Sequence, residues 1–219
     1  MESGVPDYKD AIRDYLFLCR RYTSGHIVWR FDPLCITDKI SYEIHEERFA
    51  RCAEKLSTAA TKCIISFVHP YKKVITHMKK YSDDRLIELC QERKREYAGR
   101  LAARAKDYGI GLFACCNDYL LSDTVQKSSC IDAHYLSELY QLQFDTRLAL
   151  SRAECACTKS IDIGAYDTCA HGCLYCYANS DQTRALAALI RHEPTWNALG
   201  EQVSEEHCER RKTEQSLLP

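Results

Sequence analysis

His26-Ile27-Val28-Trp29-Arg30-Phe31 is a run of β-branched and aromatic residues, and Asp32-Pro33 closes it. Such residues suit a pleated, half-buried backbone, and Asp-Pro is a turn signal. Two further stretches read alike. Residues 62–68 (KCIISFV) stop near Pro70, and residues 110–115 (IGLFAC) follow Gly109. The segments between them change period. Residues 7–22 place Tyr8, Ile12, Tyr15, Leu16 and Cys19 at helical spacing, and Gly25 ends the stretch. Ser41 is placed to cap a helix whose inner face is Tyr42, His45, Phe49, Cys52, Ala53 and Leu56. Residues 83–108 read as a charged helix, with Leu86, Leu89, Cys90, Tyr97 and Leu101 inward and a solvated face of Lys, Arg and Glu. Residues 132–142 and 185–190 read as two more helices.

Strand and helix alternate, so the fold class is α/β, built of parallel βα repeats. Three strands suit part of a barrel better than a whole one. The expectation is therefore a partial, incomplete TIM-barrel-like sheet over residues 1–150. A cysteine-rich metal-binding segment follows over residues 151–200, and a polar, flexible tail over 201–219. Parallel sheets carry their chemistry at the carboxyl ends of the strands, where Arg30, Asp32, Ser66, Cys115 and Cys116 emerge.

The bulk composition narrows the function class. Apolar residues make up 46% of the 219, enough to bury a core. Lys and Arg number 30 against 31 Asp and Glu, so no long-range pull toward a polyanion exists and a nucleic-acid partner is not expected. No apolar run approaches about 18 residues, so no membrane span is expected. Met1-Glu2-Ser3-Gly4 lacks the basic and apolar regions of a signal peptide, and the expected location is cytoplasmic. In a reducing compartment, 14 cysteines point to metal binding or redox work rather than to disulfides.

Cys169-Ala-His-Gly-Cys173-Leu-Tyr-Cys176 concentrates that chemistry. Three thiolates at this spacing on one loop can each bind one iron of a cubane 4Fe-4S cluster. The fourth iron then stays open to the amino and carboxylate groups of S-adenosylmethionine. Gly172 lets the backbone wrap closely. A structural zinc site completed by His171 or a further cysteine is the competing reading. A second site draws on the Cys155-Ala-Cys157 pair, Cys130 in a loop, and Cys115 or Cys116 at a strand end. Four soft ligands there would hold a second Fe-S cluster or Zn; otherwise Cys115 and Cys130 are small buried apolar residues. Arg30 and Asp32 read either as a binding pair for substrate or for the cofactor's carboxylate, or as an ion pair fixing the turn before Pro33. Lys72 and Lys73 read as anion contacts or as solvated lysines. His45 and His69 read as packing or surface residues. Cys19, Cys35, Cys52, Cys63 and Cys90 read as core, and Cys208 as incidental.

The motif C-x3-C-x2-C, with the aromatic Tyr175 just before the third cysteine, resembles that of the radical S-adenosylmethionine superfamily. That likeness implies that the Tyr175 ring lies near the adenine. The wider run from Cys155 through Ile161-Asp162-Ile163-Gly164-Ala165-Tyr166-Asp167 to Asn179 is similar to the carboxy-terminal signature of domain of unknown function 1848, a radical-SAM-like family. Val28 to Pro33, Ile64-Ile65-Ser66-Phe67, Tyr71-Lys72-Lys73, Tyr108-Gly109 and Ser129-Cys130-Ile131-Asp132 continue the resemblance in order. It spans about residues 7 to 195. It selects Cys115, Cys130, Cys155 and Cys157 as the second ligand set. It implies an iron–sulfur protein that binds S-adenosylmethionine, with an unknown substrate. Family members are longer at the front and carry the triad near the C-terminus. The resemblance thus also implies a partner chain supplying barrel strands. The alternative is a non-catalytic metal-binding protein, or a partner-completed subunit that has lost catalysis.

Overall fold

The structure is a computed structural model that describes residues 1–150, 153–198 and 202–203. Two compact units make up the chain. One is Pro6–Ile161; the other joins Met1–Val5 to Asp162–Pro219.

The larger unit is an α/β fold around four parallel strands. These are β1 (Trp29–Leu34), β2 (Lys62–Phe67), β3 (Gly111–Cys115) and β4 (Val125–Ser128), paired in sequence order. Helix α1 (Tyr8–Tyr22) precedes β1 and α2 (Tyr42–Leu56) joins β1 to β2. Helices α3 (Lys72–Tyr81) and α4 (Gln91–Asp107) both lie between β2 and β3, and α5 (Ala133–Tyr140) follows β4.

Period-2 alternation gives the sheet two unlike faces. Trp29, Cys63, Ile65, Phe67, Leu112, Ala114 and Val125 turn into one hydrophobic core with Phe49, Ala53 and Leu56 of α2 and Ala98, Leu101 and Ala105 of α4. The Phe49 ring stacks on Trp29 with centroids 4.9 Å apart and meets Phe31 edge-on at 5.3 Å. Helices α2 and α4 are tied directly. Tyr42 stacks on Tyr97 at 3.8 Å and donates its hydroxyl to the Tyr97 carbonyl at 2.9 Å. Glu46 accepts from Arg100 at 2.5 Å and from Arg104 at 3.1 Å. The opposite face carries Arg30, Asp32, Ile64, Ser66, Phe113 and Cys115, and this face is polar and thiol-bearing toward the carboxyl ends.

Several sequence expectations need correction. The sheet has four strands, not three. Val125–Ser128 (VQKS) is too short and polar to show a pattern. Strand β1 does not stop at Asp32-Pro33; it starts at Trp29 and runs through them to Leu34, with a register irregularity between Phe31 and Leu34. An edge strand tolerates a proline because its missing N–H is not needed by a neighbour. The charged helix starts at Gln91, not 83. Leu86 instead forms an isolated bridge with Thr37, and Leu89 packs against the core from a non-helical stretch. The helix α3 was not foreseen, although Val74 and Met78 bury one side of it. Cys35 and Cys63 are buried as expected, but Cys19 and Cys52 are only half-buried and Cys90 is exposed at the N-cap of α4. His45 is a buried packing residue, its Nε2 2.9 Å from the Cys35 carbonyl.

In the smaller unit, α6 (Gln182–Arg191) is capped by Asp181, whose carboxylate accepts from Thr183 N at 2.6 Å and Arg184 N at 3.1 Å. Cys208 and all but Gln202 and Val203 of the expected tail lie outside the described residues. Among the described residues, no helix is long and apolar enough to cross a membrane.

Candidate metal centre

The triad loop is closed at its base by Asp167. The Asp167 amide donates to the Ala178 carbonyl at 3.2 Å, and its carboxylate accepts from the Ser180 amide and, at 2.6 Å, from the Ser180 hydroxyl. The chain therefore leaves and re-enters at one point, as in an Ω-loop. Within that closure the N-terminal residues act as a short brace. Glu2 bridges Cys173 in antiparallel fashion, Leu174 N donates to Met1 O at 3.0 Å, and Gly4 N donates to His171 O at 2.8 Å. Gly172 sits at φ +66°, and a Cβ there would fall 2.8 Å from the Ser3 hydroxyl. The left-handed backbone favours glycine, and Ser3 would have to rotate aside to admit a Cβ. A tight turn follows, with Cys176 N donating to Cys173 O at 3.0 Å.

This loop carries Cys169 exposed and Cys173 and Cys176 half-buried. Burial, with smaller contributions from Glu2, Cys176 and Cys169, raises the Cys173 thiol. Tyr175 is raised strongly, by burial first and then by its hydrogen bond to the Glu2 carboxylate. Asn179 is 5% exposed. Its Nδ2 donates to the Cys169 carbonyl at 2.6 Å, while its Oδ1 is buried without a hydrogen-bond partner. Buried polar atoms are nearly always paired, so the unpaired Oδ1, on the side chain that holds the Cys169 carbonyl, fits a bound group that brings a hydrogen-bond donor.

The larger unit gathers the second thiol set at the carboxyl edge of its sheet. Register sets this up: Cys115 pairs with Ser128, and Cys130 lies just beyond. Cys115 Sγ stands 3.1 Å from Cys130 Sγ and 3.8 Å from Cys116 Sγ. Residues 155–158 are pinned alongside, because Thr158 N donates to Ile131 O at 3.0 Å and Thr158 Oγ1 accepts from Ala133 N at 3.0 Å. Cys157 there interacts with Cys130, and its amide donates to Cys155 Sγ at 3.5 Å. Arg30 Nη1 donates to Cys130 Sγ at 3.5 Å and Nη2 to Asp32 at 2.5 Å, and Ser66 donates to the other Asp32 oxygen. The Cys130 thiol is pulled down to about 5, chiefly by the hydrogen bond from Cys115 and against burial, with help from Arg30. Cys115 is raised, first by that same bond and then by burial. Burial lowers Arg30, but the hydrogen bond and charge of Asp32 outweigh it and hold the guanidinium more firmly charged.

Arg30 and Asp32 are thus joined as an ion pair at the sheet edge. Among the described residues, no three Cys, His, Asp or Glu side chains, Cys169, Cys173 and Cys176 included, are gathered so that they could hold a metal ion. Sequence reading did not foresee Glu2, which lies far from the triad in the chain and reaches it only through the N-terminal brace. It also gave Asn179 no role, since one buried amide leaves no pattern.

A family model for a domain of unknown function, DUF1848, matches residues 1–178. The chain belongs to the DUF1848 family. The matched span contains the three triad cysteines, Tyr175, Arg30, Asp32 and all four cysteines of the second set. No curated protein and no solved structure matches this DUF1848 chain.

Proposed function

We propose that this DUF1848 chain is an iron–sulfur protein of the radical S-adenosylmethionine type. The observation that carries it is the braced loop carrying Cys169, Cys173 and Cys176, whose Cys169 carbonyl is held by Asn179, a side chain left with an unpaired buried Oδ1. The three thiolates would each hold one iron of a 4Fe-4S cluster, leaving the fourth iron for S-adenosylmethionine. When bound and reduced, such a cluster supplies an electron for reductive cleavage of S-adenosylmethionine. The chain's own residues keep the loop in shape: Asp167 closes it, Glu2 occupies the Tyr175 hydroxyl, and Asn179 fixes the Cys169 carbonyl. The parallel sheet in sequence order, with its apolar core on one face and a polar, thiol-bearing opposite face, supports a barrel-sector reading of the larger unit. Cys115, Cys130, Cys155 and Cys157 at that edge would hold a second Fe-S cluster or Zn once their sulfurs move apart, since as they stand no three of them form a metal site.

Anaerobic reconstitution with iron and sulfide tests the proposal. The expected product is a brown protein that forms 5′-deoxyadenosine from S-adenosylmethionine under dithionite. A loaded cluster with no deoxyadenosine would reduce the protein to a metal binder. The nearness of Cys115, Cys130 and Cys157 is the ground for a second reading, a non-catalytic thiolate-zinc protein whose sulfurs spread on taking the ion. Metal analysis finding zinc and no iron would establish that reading instead.

A further inference from the structure

We propose that Cys115 and Cys130 form a reversible dithiol–disulfide couple, with Cys130 as the attacking thiol and Cys115 as the resolving one. The inference goes beyond the metal reading of the sheet edge and competes with it, because the same two sulfurs cannot serve both purposes at once.

Spacing is the first ground. Two thiolates on one zinc at about 2.3 Å each sit roughly 3.7 Å apart in tetrahedral geometry. Cys115 Sγ and Cys130 Sγ are closer, at 3.1 Å, and remain thiols. The backbone holds them there, since Cys130 follows closely after Ser128, the strand partner of Cys115. The second ground is access. Cys130 is exposed, while Cys115 is buried at 1% exposure. An incoming disulfide therefore meets Cys130 first.

The oxidant is a low-molecular-weight disulfide of the glutathione class. Cys130 thiolate attacks one of its sulfurs, the S–S bond breaks, and one small thiolate leaves. Cys115, giving up its proton, then attacks Cys130 Sγ and expels the second small thiol. Two protein thiols become one disulfide and one small disulfide becomes two thiols, so two electrons and two protons move to the small molecule. Oxidation would remove two of the four sheet-edge ligands, which would make metal loading of that edge depend on the thiol–disulfide state of the surroundings.

The test uses the full chain, reduced and stripped of metal with a chelator, then treated with glutathione disulfide and alkylated. Peptide mass mapping is expected to show a Cys115–Cys130 bridge and the loss of both alkylation tags. Cys115→Ser is expected to trap glutathione on Cys130. A bridge confined to Cys115–Cys116 or Cys155–Cys157, or a Cys130 that stays fully alkylatable, would overturn the proposal. Zinc added beforehand separates the two readings. Failure of the chain to bind zinc removes the zinc reading of these thiols and leaves the bridge to form as before.

Discussion

At the scale of single residues, Asn179 is the most informative position. Its side chain both supports the triad and carries an unpaired buried acceptor. An unpaired buried polar atom costs about 1–3 kcal/mol, and the bond to Cys169 returns about 1. Asn179→Ala removes both, so the melting temperature of the metal-free chain should hardly move. Asn179→Asp places an oxygen against the Cys169 carbonyl oxygen where an N–H now donates, and should melt below the alanine variant. Equal melting of the two would contradict the assigned amide orientation. Gly172→Ala should cost about 1–2 kcal/mol from its left-handed backbone alone, with more from Ser3, and this can be read from the same melts.

At the scale of elements, the sheet and its helices stand on a few aromatic contacts. Phe49 is fully buried between Trp29 and Phe31. Phe49→Ala should cost about 3–5 kcal/mol, seen as a lowered urea midpoint with the slope unchanged. Alkaline pH probes the same packing. Burial raises Tyr42 and Tyr15 and pushes Tyr119 up to about 12. Groups raised in the folded state add stability that is complete below the unfolded value of about 10 and is lost as pH climbs through the folded value. The raised thiols Cys115 and Cys173 begin the loss earlier, so melting temperature should fall above about pH 8.5 and more steeply above about pH 10, where Tyr119→Phe should soften it. A flat profile in the unaltered protein would contradict the burial of these phenols.

Elements with many buried apolar positions were legible in the sequence. Residues 42–56 and 62–67 each put their apolar side chains on the face that the core uses. Strand β4 was not, because its four residues are held by pairing with β3 rather than by their own pattern. The helix α3 escaped because only Val74 and Met78 bury deeply among its lysines. The stretch before α4 carried helical spacing at Leu86 and Leu89, yet its backbone bonds go to Ile36 O and Asp38. Those partners lie some fifty residues away and no local reading could supply them.

At the scale of the whole chain, the larger unit provides a sheet edge with clustered thiols and the smaller unit provides the triad loop. The three cysteines of the triad loop were readable, since they lie within eight consecutive residues. The brace from Glu2 was not, since it depends on tertiary closure; Cys115 and Cys130 were grouped by the family resemblance, and their sulfurs stand 3.1 Å apart. Electron paramagnetic resonance of the anaerobically reconstituted, dithionite-reduced chain tests the triad most directly. Adding S-adenosylmethionine should shift the cluster signal, and replacing Cys169, Cys173 and Cys176 together with alanine should abolish the shifting signal. A signal indifferent to S-adenosylmethionine, or one that shifts equally in the triple variant, would contradict a cluster held by these three cysteines.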